Sequence, residues 1–426
     1  MAADRSVQPQ PHPFLPPEPL PAERRRLQNG IPCLLWRQQD YELVRMDIRV
    51  RAGSWFQQQP GVASATLKML LEGTVSHPGV TWQEMLDAEG AYVESVSDRD
   101  FASISLHFPN RAASKVLPLV REMLAEPQFS DERLQLLKMQ QKQSLAVNLE
   151  KNSYVAYRNF LSEIYTGSHP YGRSLSVEDV DGWERAMLTD YFKARYVPSA
   201  FRVFMAGNLT PETMRLLEQT LGTLEQRPLS CDAECPLPPS APVRKRMKGS
   251  GNLQSSICVG RLLFNRNHPD WMRASLYNRL LGGYFGSRLM TEIRERQGLA
   301  YGIYSHLCSQ QHAGHFHISA DVNAEQAGLA EERIMEELRL LCREEVPQQE
   351  LERVKKYEAG ALLRNFDGLF PQMEQGEETD DYGLDATWWP RYFQAVTSVT
   401  AGELREIAQG FFAPEQMTVV RVEGTE

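Results

Sequence analysis

The chain repeats itself. Asp131, Leu134, Leu137 and Lys138 in SDERLQLLK match Gln348, Leu351, Val354 and Lys355 in PQQELERVK, each pair 217 residues apart. Tyr196, Pro198 and Val203 match Phe412, Pro414 and Val419 at a separation of 216. Two distant segments that agree on nearly one offset indicate a tandem duplication of a unit of roughly 200 residues, far longer than a solenoid repeat. A chain of 426 residues is also too long for one ordinary core. The expectation is therefore two similar domains, residues 27–222 and 251–426. Residues 223–250, rich in proline and then in charge, form the linker, and residues 1–26 form a flexible N-terminal arm. That arm holds prolines and an ERRR run without an apolar stretch, so it does not read as a secretory signal.

Within each unit two periods alternate. Residues 45–52 and 101–108 alternate like strands, whereas 112–124 and 326–341 have helical spacing. In the second unit Phe316, Ile318, Ala320 and Val322 share one face of a strand. His315, His317, Ser319 and Asp321 share the other, which is expected to be polar or to line a cavity. Long helices beside hairpin-forming strands indicate an α+β fold, with a mainly antiparallel sheet backed by helices in each unit. No apolar run approaches the ~18 residues of a membrane span. A net charge of −9 argues against nucleic acid, whose phosphates need a basic surface. Six cysteines scattered at 33, 231, 235, 258, 308 and 342 suit a reducing, cytoplasmic compartment. Cys231 and Cys235 make only half of a possible zinc site, because no second pair follows.

Two segments concentrate the chemical information. The first, residues 61–74 (GVASATLKMLLEGT), has helical apolar spacing and a glycine, Gly73, placed to end the helix. The second, residues 278–305, has a turn containing Gly282, Gly283 and Gly286, a bend suited to glycine. Ser287-Arg288-Leu289, Arg294-Glu295 and Gly298-Leu299-Ala300-Tyr301 follow it. A phosphate-binding loop would need a Gly-Lys-Ser/Thr ending, which is absent. His312, His315 and His317 could bind a metal with a third donor such as His306 or Asp321, or could simply be polar strand residues.

Both segments resemble motifs of the M16 (pitrilysin, insulinase-like) metallopeptidases. In that register residues 61–74 follow the inverted zinc motif, but Ser64 stands at the first ligand, Leu67 at the general base and Lys68 at the second ligand. The third ligand position falls on Leu145, and the nearest carboxylate is Glu150. Leucine cannot accept a proton from water and an ammonium repels a dication, so no hydrolytic centre of its own and no zinc cofactor are expected. Arg294 and Tyr301 match an arginine and a tyrosine that, in the family, face the zinc across the chamber and contact substrate. A guanidinium and a phenol are donors able to polarise a carbonyl. Leu27-Gln28-Asn29-Gly30, Ala52-Gly53-Ser54 and His169-Pro170-Tyr171-Gly172 agree with the same family, and the resemblance spans residues 27–424. It implies a non-catalytic subunit that pairs with a zinc-bearing M16 subunit, or with itself, around peptide or unfolded polypeptide. The alternatives are a structural or binding protein of the same fold, and a metallopeptidase with a non-standard site at His312, His315 and His317.

Overall fold

The computed structural model describes residues 13–231, 235–238, 241–249, 251 and 253–424. Its first half runs β1 (Glu23–Arg26), β2 (Pro32–Arg37), β3 (Leu43–Val50), α1 (Val62–Leu70), α2 (Thr81–Ala88), β4 (Tyr92–Ser97) and β5 (Ala102–Pro109). It continues α3 (Ala113–Ala125), α4 (Asp131–Leu149), α5 (Asn152–Tyr165), α6 (Val177–Asp181), α7 (Arg185–Arg195), β6 (Phe201–Gly207) and α8 (Pro211–Thr220). The second half runs β7 (Arg244–Lys248), β8 (Gln254–Leu263), α9 (Trp271–Leu281), β9 (Ala300–Ser309), β10 (Gly314–Asn323), α10 (Ala327–Arg343) and α11 (Gln348–Arg364). It ends with α12 (Leu369–Asp381), α13 (Trp388–Ser398), α14 (Ala401–Phe411) and β11 (Thr418–Glu423). The strands form two sheets, ordered β1-β2-β6-β3-β5-β4 and β7-β11-β8-β10-β9. In each, one pair is parallel, β2 with β6 and β7 with β11, and every other pair is antiparallel. This is the α+β duplication expected from the sequence.

The inner strands of both sheets are covered on both faces. Strands β2 and β6 therefore carry unbroken apolar runs, as doubly buried strands do. Cys33, Leu35, Val203 and Met205 point into the main core of the first half, while Leu34, Trp36, Phe204 and Ala206 point the opposite way. What covers that opposite face comes from the other half of the chain. Leu369 and Met373 of α12 pack on Trp36 and Phe204. Reciprocally, Ala156, Phe160, Leu161 and Ile164 of α5 pack on Cys258, Val420 and Val422 of the second sheet. The two helices start 217 residues apart, at Asn152 and Leu369, so the duplicated units have exchanged equivalent helices.

That exchange ties the two expected units together. Residues 27–222 and 251–426 are not two self-contained domains, since each sheet needs a helix from the other. Nor is 223–250 a bare linker, because β7 within it pairs in parallel with β11, and Lys245 Nζ donates to Glu163 of α5 at 2.7 Å. The end of the expected arm is also ordered: residues 23–26 form β1, Leu20 N–H donates to Gln372 at 2.7 Å, and Trp36 Nε1 donates to the carbonyl of Leu20. Composition marked the prolines and charges but not the sheet edges that take them up. Residues 1–12, 232–234, 239, 240 and 250 lie outside the described residues.

The loop His169–Gly172 joins the halves at one point. Tyr171 is fully buried, its hydroxyl donates to Asp100 Oδ1, and Asp100 Oδ2 accepts from the backbone N–H of Gln311 at 2.9 Å. Burial raises the Asp100 carboxyl to about 6.

Candidate functional site

The second-half motif is a rigid mount for two outward-facing side chains. Helix α9 ends at Leu281, and a Cβ on Gly282 would stand 2.7 Å from the backbone nitrogen and the hydroxyl of Ser305. One on Gly283 would stand 2.9 Å from the Cα of Arg279, whereas one on Gly286 would meet only the movable Tyr284 ring. None of the three has a positive φ. At Gly282 and Gly283 close approach, not a left-handed bend, is therefore the reason for glycine. Helix α11 fixes the turn through ion pairs: Arg279 Nε to Glu358 at 2.6 Å, and the Arg288 guanidinium in a two-pronged contact with Glu350 at 2.8 Å on each prong. Such fork geometry positions as well as binds.

Beyond the turn, Met290–Arg296 winds as a π-helix, a wide turn found disproportionately at functional sites. It brings Arg294 back over the start of β9, where Nε donates to the carbonyl of Tyr301 at 3.0 Å and the guanidinium lies 5.3 Å from the Phe285 ring centroid. Tyr301 is 83% exposed and Phe285 61% exposed. The structure thus brings together the two residues singled out by the resemblance and displays the phenol to solvent.

The degenerate motif sits where expected, on α1, with Gly61 in a left-handed conformation at its start. Ser64 is half-buried, Leu67 is buried in the core and Lys68 is exposed. Lys68 Nζ donates to Gln141 of α4 at 3.1 Å. The α4 residue presented to Lys68 is thus Gln141, one turn before Leu145, which is buried. The surrounding groove contains Glu72, but Arg133 holds its carboxylate in an ion pair. A zinc ion needs three converging lone pairs, and at the three ligand positions it would meet one neutral hydroxyl, Ser64, the ammonium of Lys68 and the buried Leu145. The residues do not fit the metal that this register implies, so no hydrolytic step can be built on α1.

The histidines of the second sheet are not one set. His312 stacks on Trp55 at a centroid distance of 3.9 Å, away from the others, and the Asp321 carboxylate is engaged by the Ser256 hydroxyl at 2.5 Å. His315 and His317 stay together, and Cys308, which motif reasoning passed over, joins them. Donor atoms of Cys308, His315 and His317 all lie within 4.8 Å of one another. The face expected to be polar or to line a cavity is polar and lies under α5: Ser319 and Asp321 line a small pocket beside the helix, and Tyr157 and Tyr165 place their hydroxyls 3.2 and 3.3 Å from the two ring nitrogens of His315. Burial drives the His315 imidazole well below its ordinary range and His317 down to about 3, and it pushes the Cys308 thiol up to about 11. The signal was available. A hairpin turning between Ser309 and Gly314 sets Cys308 opposite His315 and His306 opposite His317. Among the described residues, no metal-capable group contains Cys231 or Cys235.

Two family profiles match the chain. The one described as insulinase (peptidase family M16) covers residues 35–178, and the one described as peptidase M16 inactive domain covers residues 182–357. An uncharacterized zinc protease, YmxG, of Bacillus subtilis is 22% identical over 362 residues, covering 84% of this chain and 88% of that protein. A non-peptidase homolog, also called YmxG, of Helicobacter pylori is 24% identical over 318 residues, 72% of each chain. In three dimensions the chain is similar to a peptidase M16 inactive domain from Pseudomonas fluorescens, with TM-score 0.87, 21% identity and coverage of 95% and 98%. It is also similar to a protease from Helicobacter pylori, with TM-score 0.88, 16% identity and coverage of 95% and 100%. At these identities the solved structures speak for the fold alone.

Proposed function

The chain belongs to the M16 peptidase family, and we propose that within it this protein is a non-catalytic subunit that closes a proteolytic chamber against a zinc-bearing M16 partner. The observation that carries the reading is Tyr301, a phenol 83% exposed at the start of β9, whose carbonyl accepts from Arg294 of the π-helix that follows a turn braced by two ion pairs. An aromatic side chain held outward by so much fixed structure is a contact surface, and Arg294 beside it supplies the positive charge that a developing oxyanion attracts. The ligand positions Ser64, Leu67 and Lys68 support the same division of labour, with the partner providing zinc and base. Peptide or unfolded polypeptide is the substrate of the pair. The described residues contain no helix long and apolar enough to cross a membrane. A cytoplasmic assembly completes the reading, on the strength of the scattered thiols.

Reconstitution with a zinc-bearing M16 subunit from the same host tests it. Arg294→Ala and Tyr301→Phe should each lower peptide turnover of the mixed complex roughly a hundredfold, the scale for one oxyanion donor, while subunit association is unchanged. Wild-type turnover by both variants, normalised to folded complex, would leave the pair as scaffold and favour a structural role for the fold.

A further inference from the structure

We propose that Cys308, His315 and His317, with His306 at the open side, form a binding site for one thiophilic metal ion of the zinc class, distinct from the vanished site on α1. The four side chains occupy a rectangle on the α5-facing side of the β9–β10 ladder. Residues two apart on a strand share a face, and the register sets His306 opposite His317 and Cys308 opposite His315. Cross-strand neighbours of this kind hold their Cβ atoms about 4.5–5.5 Å apart, close enough for short side chains to converge. The His306 and His317 rings are stacked at 4.8 Å, and those of His315 and His317 at 5.4 Å.

Three features distinguish this cluster from an ordinary set of buried polar residues. First, His317 is only 7% exposed and its Nδ1, without a hydrogen-bond partner, is a buried polar atom that an ion or a water would satisfy. Second, His315 already has the outer support that metal-bound imidazoles need. With one ring nitrogen on the metal, the other keeps a tyrosine hydroxyl, Tyr157 or Tyr165, which fixes the ring. Third, the donor set is one sulfur with two or three imidazoles, a combination that soft and borderline ions prefer and that magnesium or calcium would reject. A zinc ion about 2.0–2.3 Å from each donor draws the donors closer than their present 4.8 Å limit, which small side-chain rotations achieve. On binding, the Cys308 S–H bond is replaced by a sulfur–metal bond and the proton passes to water.

The ion would clamp β9, the edge strand that also carries Tyr301, onto β10. Among the described residues no carboxylate joins the cluster, and with α5 overhead the site is structural. This inference does not depend on the chamber reading, because the residues tested are different and the readout is metal, not turnover.

The test uses the full-length chain, stripped with chelator and titrated with Zn²⁺ or Co²⁺. One equivalent should bind, the cobalt form should show the near-ultraviolet sulfur-to-cobalt charge-transfer band, and the melting temperature should rise. Cys308→Ser should abolish that band and weaken binding at least tenfold, and one of Tyr157→Phe and Tyr165→Phe, the one whose hydroxyl holds the non-metallated nitrogen of His315, should weaken it about tenfold through loss of outer support. His317→Gln, which keeps the size and polarity of the side chain, should weaken binding like Cys308→Ser and guards against misfolding of one variant. Failure of the folded wild-type chain to retain an equivalent of metal, or binding and a cobalt spectrum unchanged by Cys308→Ser and His317→Gln, would overturn the proposal.

Discussion

Helices α12 and α5 occupy equivalent places in the duplicated scaffold and both bury apolar side chains on their sheets, but the polar contacts of α12 are mainly ion pairs, whereas α5 presents mainly rings beside its Glu163–Lys245 pair. On the first sheet, arginines of β3 and β6 meet carboxylates of α12: Arg45 pairs with Glu374, Arg49 with Asp381 and with Glu377 at 3.2 Å, and Arg202 with Asp380 at 3.4 Å, while Asp47 of β3 pairs with Arg45 along their own strand at 2.8 Å. On the second sheet α5 offers Tyr157, Phe160, Ile164 and Tyr165, which lie on imidazoles and aliphatic side chains. A duplicated backbone therefore does not dictate how its layers cohere. Ion pairs fix which helix docks and in which register, at a desolvation cost, whereas aromatic area supplies cohesion with little positional demand.

The largest break in this comparison should come from Arg49. Glu377 and Asp381 are almost completely buried, so Arg49→Ala leaves carboxylates without their nearest cation and should cost about 3–5 kcal/mol in urea unfolding at neutral pH. The loss should shrink in mild acid, where the orphaned acids can take protons.

The intact contact has a pH dependence of its own. Burial raises Asp381 from 3.8 to about 6 in spite of Arg49 and Arg202, and raises Glu377 as well. A carboxyl raised on folding holds its proton over a range in which the unfolded chain has released it. The term therefore favours folding below about pH 4 and is lost as pH climbs to about 6. For Asp381 alone the span is at most about 3 kcal/mol. Asp381→Asn should flatten stability measured between these limits, and an unchanged slope would show that the carboxylate ionises freely in the folded protein.

A smaller effect tests the fit of α12. A Cβ on Gly376 would stand 2.2 Å from the Trp36 ring. Elsewhere in a helix, glycine to alanine is stabilising by about 1 kcal/mol; here overpacking should reverse the sign, so Gly376→Ala is expected to destabilise by about 1–3 kcal/mol in the same assay.

How far the sequence foretold all this depends on the range of the signal. The periods at 45–52, 101–108, 112–124 and 326–341 became β3, β5, α3 and α10 within a few residues, because alternation and helical spacing are local. The 217-residue offset foretold the duplication. Nothing local revealed the exchange of α5 and α12, since an amphipathic helix does not state which sheet it covers, nor that Glu374, Glu377 and Asp381 face arginines more than 300 residues earlier. Of the candidate sites, motif reasoning singled out Arg294 and Tyr301, which the fold sets side by side. It set His312 with His315 and His317, when only hairpin register could show that the residue beside them is Cys308.

The smallest expected effect separates area from polarity under α5. The Tyr165 hydroxyl makes two long contacts, 3.2 Å to Gln310 and 3.3 Å to His315 Nδ1. If α5 adheres through its rings, Tyr165→Phe keeps the ring and forfeits only these bonds, so unfolding should change by about 1 kcal/mol or less. His315 retains its contact to Tyr157 at Nε2, which limits the penalty of a stranded acceptor. Should Tyr165→Phe instead cost as much as Arg49→Ala, the second sheet would also be held by its polar bonds, and the contrast between the two exchanged helices would fail. Urea unfolding of the two variants side by side, in metal-free buffer, makes that comparison directly.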